Sequence, residues 1–108
     1  MIRGTTPTIT YTFPFAVSGI VKFRMYFMQG TETLLTRTEE DCTFDGYTVS
    51  TVLTQEETYA FSAKKRLEIK CRFLKNDDTV DGTKSKFFDV EDTGGSVEVL
   101  AADEESEE

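Results

Sequence analysis

The residues of this chain that are best placed to bind a metal ion lie between Asp77 and Gly82. The spacing Asp77-x-Thr79-x-Asp81-Gly82 resembles the opening of a calcium-binding loop, where oxygen atoms at alternate positions converge on the ion and glycine permits a sharp turn. A complete loop needs a bidentate glutamate six residues after the glycine, and that position holds Phe88. We therefore predict a hydrated hairpin turn here and no calcium site.

Two further groups of carboxylates lie side by side. Glu56 and Glu57 are adjacent, and adjacent residues of a helix point about 100° apart, so they do not face one shared substrate. Thr54 precedes Glu57 by three positions, which is typical of a helix capping box. Glu39-Glu40-Asp41 is predicted to be a hydrated acidic connection, with a weak site for a hard cation as the alternative.

The residue types of this chain do not favour nucleophilic catalysis or cofactor binding. The chain has no histidine, which excludes Ser-His-Asp and Cys-His catalysis and Cys2His2 zinc sites. Cys42 and Cys71 lie 29 positions apart without CxxC spacing, so we predict two reduced, inward-facing thiols, with a disulfide between packed sheets as the alternative. Gly94-Gly95 precedes no lysine or helix and is predicted to be a flexible joint. We expect no catalytic residue, no metal ligand and no cofactor.

Basic residues form the cluster that points to a binding surface. Six of the twelve Lys and Arg residues fall between Lys64 and Lys75, although the chain as a whole is acidic. On strands, residues at alternate positions share one face. The candidate partner-binding face consists of Lys22, Arg24, Arg66, Lys70 and Arg72. It is either a solvated strand face whose lysines discourage edge aggregation or an electrostatic docking surface for an acidic partner.

The basic residues are expected to lie on β-strands. Apolar residues recur at every second position along most of the chain, which is typical of strands with one buried face. The clearest segment runs from Leu67 to Phe73, where we expect Ile69 and Phe73 to be buried and Lys70 and Arg72 to be exposed. Other apolar faces are predicted on the segments containing Ile9, Tyr11 and Phe13, and Val21, Phe23, Met25 and Phe27.

Turns separate these segments. Asp45-Gly46 predicts a type I′ hairpin turn, and Lys75 to Gly82 is predicted to be a polar turn. Val97, Val99 and Leu100 are compatible with a last edge strand or with an irregular end.

These elements predict an all-β fold, an antiparallel β-sandwich of immunoglobulin-like architecture with about seven strands. One short helix is expected near residues 55–60. We predict a single β-sandwich domain over residues 1–100 and a disordered acidic tail over residues 101–108.

Charge and hydropathy limit the partners. Twelve basic and twenty acidic residues give a net charge of −8, of which the last eight residues carry −5. This balance argues against nucleic-acid binding, which usually requires a basic excess. We find no apolar run long enough for a membrane span and no secretory signal peptide, so we expect neither membrane association nor secretion by that route.

Several segments resemble small structural proteins encoded by tailed phages and prophages of Firmicutes. These segments are Arg3-Gly-Thr-Thr-Pro-Thr8 with its alternating strand, the Asp45-Gly46 hairpin, Leu53-Thr-Gln-Glu-Glu-Thr58 and Leu67-Glu-Ile-Lys-Cys-Arg-Phe73. The opening is also similar to the N-terminal sandwich modules of phage upper-baseplate proteins. The resemblance spans roughly residues 2–91 and rests on structural motifs.

The resemblance implies a non-enzymatic phage or prophage structural protein of the tail, baseplate or neck. Its expected partners are other virion or tail proteins or further copies of itself, in the virion or, during expression, in the cytoplasm of the bacterial host. The alternative is a cytoplasmic β-sandwich binding module that captures a protein or peptide on a sheet edge or on the basic face.

Overall fold

The computed structural model describes residues 1–94 and 99–100. Single 3-10 turns at Val17–Gly19 and Glu39–Asp41 accompany the regular elements. The strands are β1 (Thr8–Thr12), β2 (Ile20–Gln29), β3 (Glu32–Thr38), β4 (Thr43–Asp45), β5 (Thr48–Val52), β6 (Leu67–Lys75), β7 (Val80–Gly82) and β8 (Lys86–Phe88), and helix α1 spans Gln55–Tyr59. The predicted tail over residues 101–108, and Val97 of the predicted last strand, lie outside the described residues.

The strands form two antiparallel sheets. The smaller has the order β1-β5-β4, and the larger has the order β3-β2-β6-β7, with β8 pairing on β6 beside β7. Strand β2 occupies one edge of β6 from Glu68 to Lys75, so β7 and β8 both lie along the other edge. This arrangement confirms the predicted all-β antiparallel sandwich with one short helix.

The core lies between the sheets and follows the predicted alternation. Ile69 and Phe73 are buried and Lys70 and Arg72 are exposed, as predicted. Ten of the fifteen buried core residues in the described part of the chain come from β1, β2, β5 and β6, because each of these strands has one apolar face. These residues are Ile9, Tyr11, Phe23, Met25, Phe27, Val49, Leu67, Ile69, Cys71 and Phe73.

Two strand predictions need correction. Val21 was predicted on the buried face of β2, yet it is 51% exposed, because it is the extra residue of a register shift between Ile20 and Lys22 opposite β6. The segment predicted as a polar turn ends in the short strand β7, all of whose residues are exposed. This strand is held by pairing with β6 rather than by burial, so it has no alternating pattern to reveal it.

The hairpin of β4 and β5 forms at the predicted place with a different turn. Asp45 pairs with Thr48, so the central residues are Gly46 and Tyr47, and of these Gly46 alone has a positive φ, at 59°. This is the requirement of a type II′ turn, whereas type I′ needs positive φ at both central residues. The side chain of Tyr47 disfavours the left-handed region that type I′ would impose on it.

Helix α1 begins with the predicted capping box. The Glu57 amide donates to the Thr54 hydroxyl at 3.2 Å, and the Thr54 amide donates to Glu57 Oε1 at 2.8 Å. The same carboxylate oxygen accepts from Arg37 of β3 at 2.6 Å, so the box ties the helix to the larger sheet. Within the described part of the chain, no helix has the length and apolar character needed to cross a membrane.

Candidate functional site

Pairing of β2 with β6 brings the predicted basic residues together on the outer face of the larger sheet. Arg24 lies directly opposite Arg72, and Tyr26 lies opposite Lys70. Lys22 lies opposite Leu74 at the same end of the pair. Their odd-numbered neighbours fill the core, so these side chains point outward. We call the surface formed by Lys22, Arg24, Arg66, Lys70 and Arg72 the basic face.

Arg24 is fixed by an acidic neighbour. Its Nη1 lies 2.9 Å from Glu39 Oε1 and also donates to the Phe23 carbonyl at 2.7 Å. The same Glu39 oxygen accepts from the Phe23 amide at 2.9 Å. That amide hydrogen bond is the largest cause of the lowered pKa of Glu39, to which the Arg24 guanidinium adds. The ion pair offsets the repulsion between Arg24 and Arg72, which face each other across the strands.

Arg66 extends the basic face toward the start of β6. Its guanidinium carbon lies 4.3 Å from the centroid of the Phe87 ring, which is within cation–π range. Phe87 pairs with Glu68, an even-numbered residue of β6, so its ring lies on the same outer face, and it is 53% exposed. Glu68 separates Arg66 from Lys70, and its carboxylate is engaged by the Ser85 hydroxyl.

The described residues provide no ion-pair partner for Lys22, Lys70 or Arg72. Lys70 and Arg72 are exposed, and so is Lys22. An exposed cation without an internal partner keeps its full attraction for an external anion, screened only by solvent and salt. These three residues are therefore the available charges of the basic face, with Arg24 and Arg66 positioned beside them.

Two shallow grooves run across this surface. One, of about 280 Å³, is lined by Lys22, Arg24, Arg72, Leu74 and Val80 together with the core rings Phe23 and Phe73. The other, of about 400 Å³, is lined by Tyr26, Lys70, Arg72 and residues of β7. The grooves share Arg72 and Val80. Cations thus alternate with aromatic and aliphatic surface.

The sequence analysis did not identify the apolar and aromatic residues that lie beside the basic face. Tyr26 occupies an outward position of a predicted strand, so alternation was a sufficient signal for it. Leu74 follows the predicted segment Leu67 to Phe73 and belongs to β6 only in the structure. Val80 is 63% exposed and reaches the surface through β7, a strand with no sequence signal of its own.

The carboxylate groups considered for metal binding are used internally. Asp41 accepts from the Thr38 amide at 2.9 Å and from the Thr38 hydroxyl, and these bonds lower its pKa. Asp77 accepts from the Thr79 hydroxyl and amide, and its pKa is lowered by the same two bonds. In the described ranges, no three His, Cys, Asp or Glu side chains form a group that could hold a metal ion.

The buried titratable groups are held in their neutral forms. Burial raises the pKa of the Cys71 thiol to about 12 and is also the main cause of the raised pKa of Tyr11, whose hydroxyl donates to the Ile69 carbonyl at 2.7 Å. Cys42 is half-buried, and desolvation raises its pKa. Both cysteines are free thiols. A protonated thiol is a poor nucleophile, so neither cysteine is activated.

Comparison with known proteins yielded neither a matching family model nor a matching curated protein.

Proposed function

We propose that this chain is a non-enzymatic assembly protein that docks an acidic surface of a neighbouring protein on its basic face. The observation that carries the proposal is the group of exposed cations Lys22, Lys70 and Arg72, which have no ion-pair partner among the described residues. They share one sheet face of a chain with a net charge of −8. Electrostatic complementarity of this kind gives orientation and fast association.

Exposed apolar surface beside the cations supports a protein as the partner. Val80 and Phe87 are 63% and 53% exposed, and Tyr26 and Leu74 line the grooves between the charges. Protein interfaces combine a central apolar or aromatic contact with a polar rim, and Arg and Tyr are enriched in them. A small acidic ligand would use the charges but leave this apolar surface uncovered.

The setting that we propose is the tail, baseplate or neck of a phage or prophage particle. Its support is the resemblance of the strand opening, hairpin and capping box to small phage structural proteins. A non-catalytic role is further supported by the absence of histidine from the sequence and by the neutral, buried state of Tyr11 and Cys71.

Incorporation into particles tests this proposal. The double variant Lys70→Glu/Arg72→Glu reverses two charges of the basic face, and Lys64→Glu/Lys65→Glu makes the same change in net charge at exposed positions outside it. Particles are purified by density gradient from the bacterium that encodes the chain, and the chain is quantified by mass spectrometry.

We expect the wild type and the Lys64/Lys65 variant in the particles, and at least tenfold less of the Lys70/Arg72 variant. That variant should remain folded, because both of its substitutions lie on exposed side chains. Particles without the wild-type chain would contradict the virion setting. Equal incorporation of the two double variants would contradict the role of the basic face.

A further inference from the structure

Strand β1 is an edge strand whose outward hydrogen-bonding groups are open. The Phe13 amide donates to the Tyr47 carbonyl at 2.7 Å and the Leu53 amide donates to the Pro7 carbonyl at 3.0 Å. Because hydrogen-bonded pairs alternate in antiparallel sheets, the odd-numbered residues of β1 bond to β5. The amides and carbonyls of Thr8, Thr10 and Thr12 therefore point away from β5. Their partner among the described residues is one lysine, since Lys86 Nζ donates to the Thr10 carbonyl at 2.8 Å.

A groove with an aromatic floor runs beside this edge. It has a volume of about 370 Å³ and lies between β1 and the segment that joins β7 to β8. Phe13, Phe15 and Phe73 form the floor, with the Phe13 ring centroid 5.4 Å from each of the other two. An open strand edge above an apolar floor is the geometry that accepts an added strand, whose backbone pairs with the edge while alternate side chains enter the groove.

The surroundings of the groove are positively charged. Lys84 and Lys86 line it, and Lys75 places its ammonium 5.3 Å from the Phe15 ring centroid. Among the described residues that line the groove, Asp81 is the one carboxylate. An incoming strand that is followed by acidic residues would therefore be favoured over a neutral or basic one.

The chain carries a segment of this description at its C-terminal end. Val97 and Val99 alternate with Ser96 and Glu98, and five carboxylates follow between residues 103 and 108. Val99 and Leu100 are 44% and 70% exposed, so their apolar surface is left uncovered within one copy.

The position of Leu100 indicates that the segment would pair with the β1 edge of a second copy of the chain rather than with its own. The Gln55 side chain at the start of α1 holds Leu100 by both backbone groups, with bonds of 2.6 Å and 2.8 Å, away from the residues that line the groove.

We propose that residues 96–99 of one copy add as a strand to the β1 edge of a second copy. Val97 and Val99 would then cover the floor at Phe13 and Phe73, and the acidic residues that follow would lie among the lysines. The contact is heterologous, since a C-terminal segment meets an edge strand, so it repeats from copy to copy. The site does not use the basic face and thus goes beyond the proposed function.

Proline substitution tests the edge directly. Thr10→Pro removes an amide that points away from β5, so it leaves the β1–β5 hydrogen bonds in place. Thr36→Pro is the matched control. The Phe23 amide of β2 points toward β3, so the odd-numbered residues of these two strands form the hydrogen bonds between them. The Thr36 amide therefore points away from β2, as the Thr10 amide points away from β5. Each variant is first checked for a cooperative thermal transition, and its mass is then followed against concentration by light scattering.

We expect the wild type and Thr36→Pro to form species of at least two 12.2 kDa chains as concentration rises, and Thr10→Pro to remain a monomer. The full-length chain with Val97→Lys and Val99→Lys should also remain monomeric. It should bind a synthetic peptide of residues 96–108, and at least tenfold less of the same peptide with Val97→Lys and Val99→Lys. A wild type that stays monomeric, or peptide binding that survives Thr10→Pro, would overturn the proposal.

Discussion

Truncation of Phe73 tests the assignment of the two faces of β6. The side chain is 4% exposed, and its ring meets Phe13 edge to face at a centroid distance of 5.4 Å and Phe15 at 5.7 Å. Phe73→Ala removes this buried ring and both aromatic contacts, and leaves a cavity that the rigid sheets cannot close. Such substitutions cost about 3–5 kcal/mol of unfolding free energy. A domain of this size is stable by about 5–15 kcal/mol, so much of its stability would be lost.

Phe87→Ala is the matched control for that measurement. Phe87 is 53% exposed and its described ring contact is the Arg66 guanidinium, so this substitution should cost about 0.5–1 kcal/mol. Both variants and the parent are unfolded by urea and by heat, with circular dichroism as the probe. Phe73→Ala should melt roughly 12–40 °C below the parent, at about 4–8 °C per kcal/mol. Equal losses in the two variants, or a Phe73→Ala melting point within a degree or two of the parent, would refute the face assignment.

Three further predictions concern the titratable groups. Alkylation under denaturing, non-reducing conditions should modify both cysteines. In the folded protein Cys71 should react far more slowly than in the unfolded chain, because burial raises its pKa to about 12. Rapid labelling of Cys71 in the folded protein would contradict its burial. The folded-state pKa of Glu39 is lowered, so the stability that its carboxylate contributes is present at neutral pH and is lost as the pH falls through that pKa. The melting temperatures of the wild type and Glu39→Gln should therefore differ at pH 7 and converge in acid. A difference that stays constant with pH would contradict this prediction. Glu57→Ala should lower the unfolding free energy by about 1.5–3 kcal/mol, because it removes the capping box and the partner of Arg37, whereas Glu56→Ala should stay within about 0.5 kcal/mol in the same urea titration.

The sequence predicted the structural features that depend on residues close together in the chain. The alternation from Leu67 to Phe73 is complete because every second residue of this segment is buried, and the capping box needs only Thr54 and Glu57. The outward orientation of Lys22, Arg24, Lys70 and Arg72 on their own strands also followed, since period two fixes which side chains of a strand lie on the same face.

Features set by tertiary pairing were not predictable in this way. Val21 lies outside because β2 takes one more residue than β6 at that point, and β7 exists because β6 offers it an edge. Arg24 was predicted as a docking cation, yet it is bound to Glu39, a residue of the connection that follows β3. Neither the extra residue nor this ion pair has a signature within a single strand.

Zero-length carbodiimide coupling in purified particles tests the central claim most directly. The reagent joins a lysine ammonium to a carboxylate in contact with it, so cross-linked peptides identify the partner of each lysine. If the basic face docks an acidic protein, Lys22 and Lys70 should be joined to Asp or Glu residues of another particle protein, and high salt during coupling should reduce the yield. Links from Lys64 and Lys65 to other proteins, with Lys22 and Lys70 left unlinked, would contradict the account.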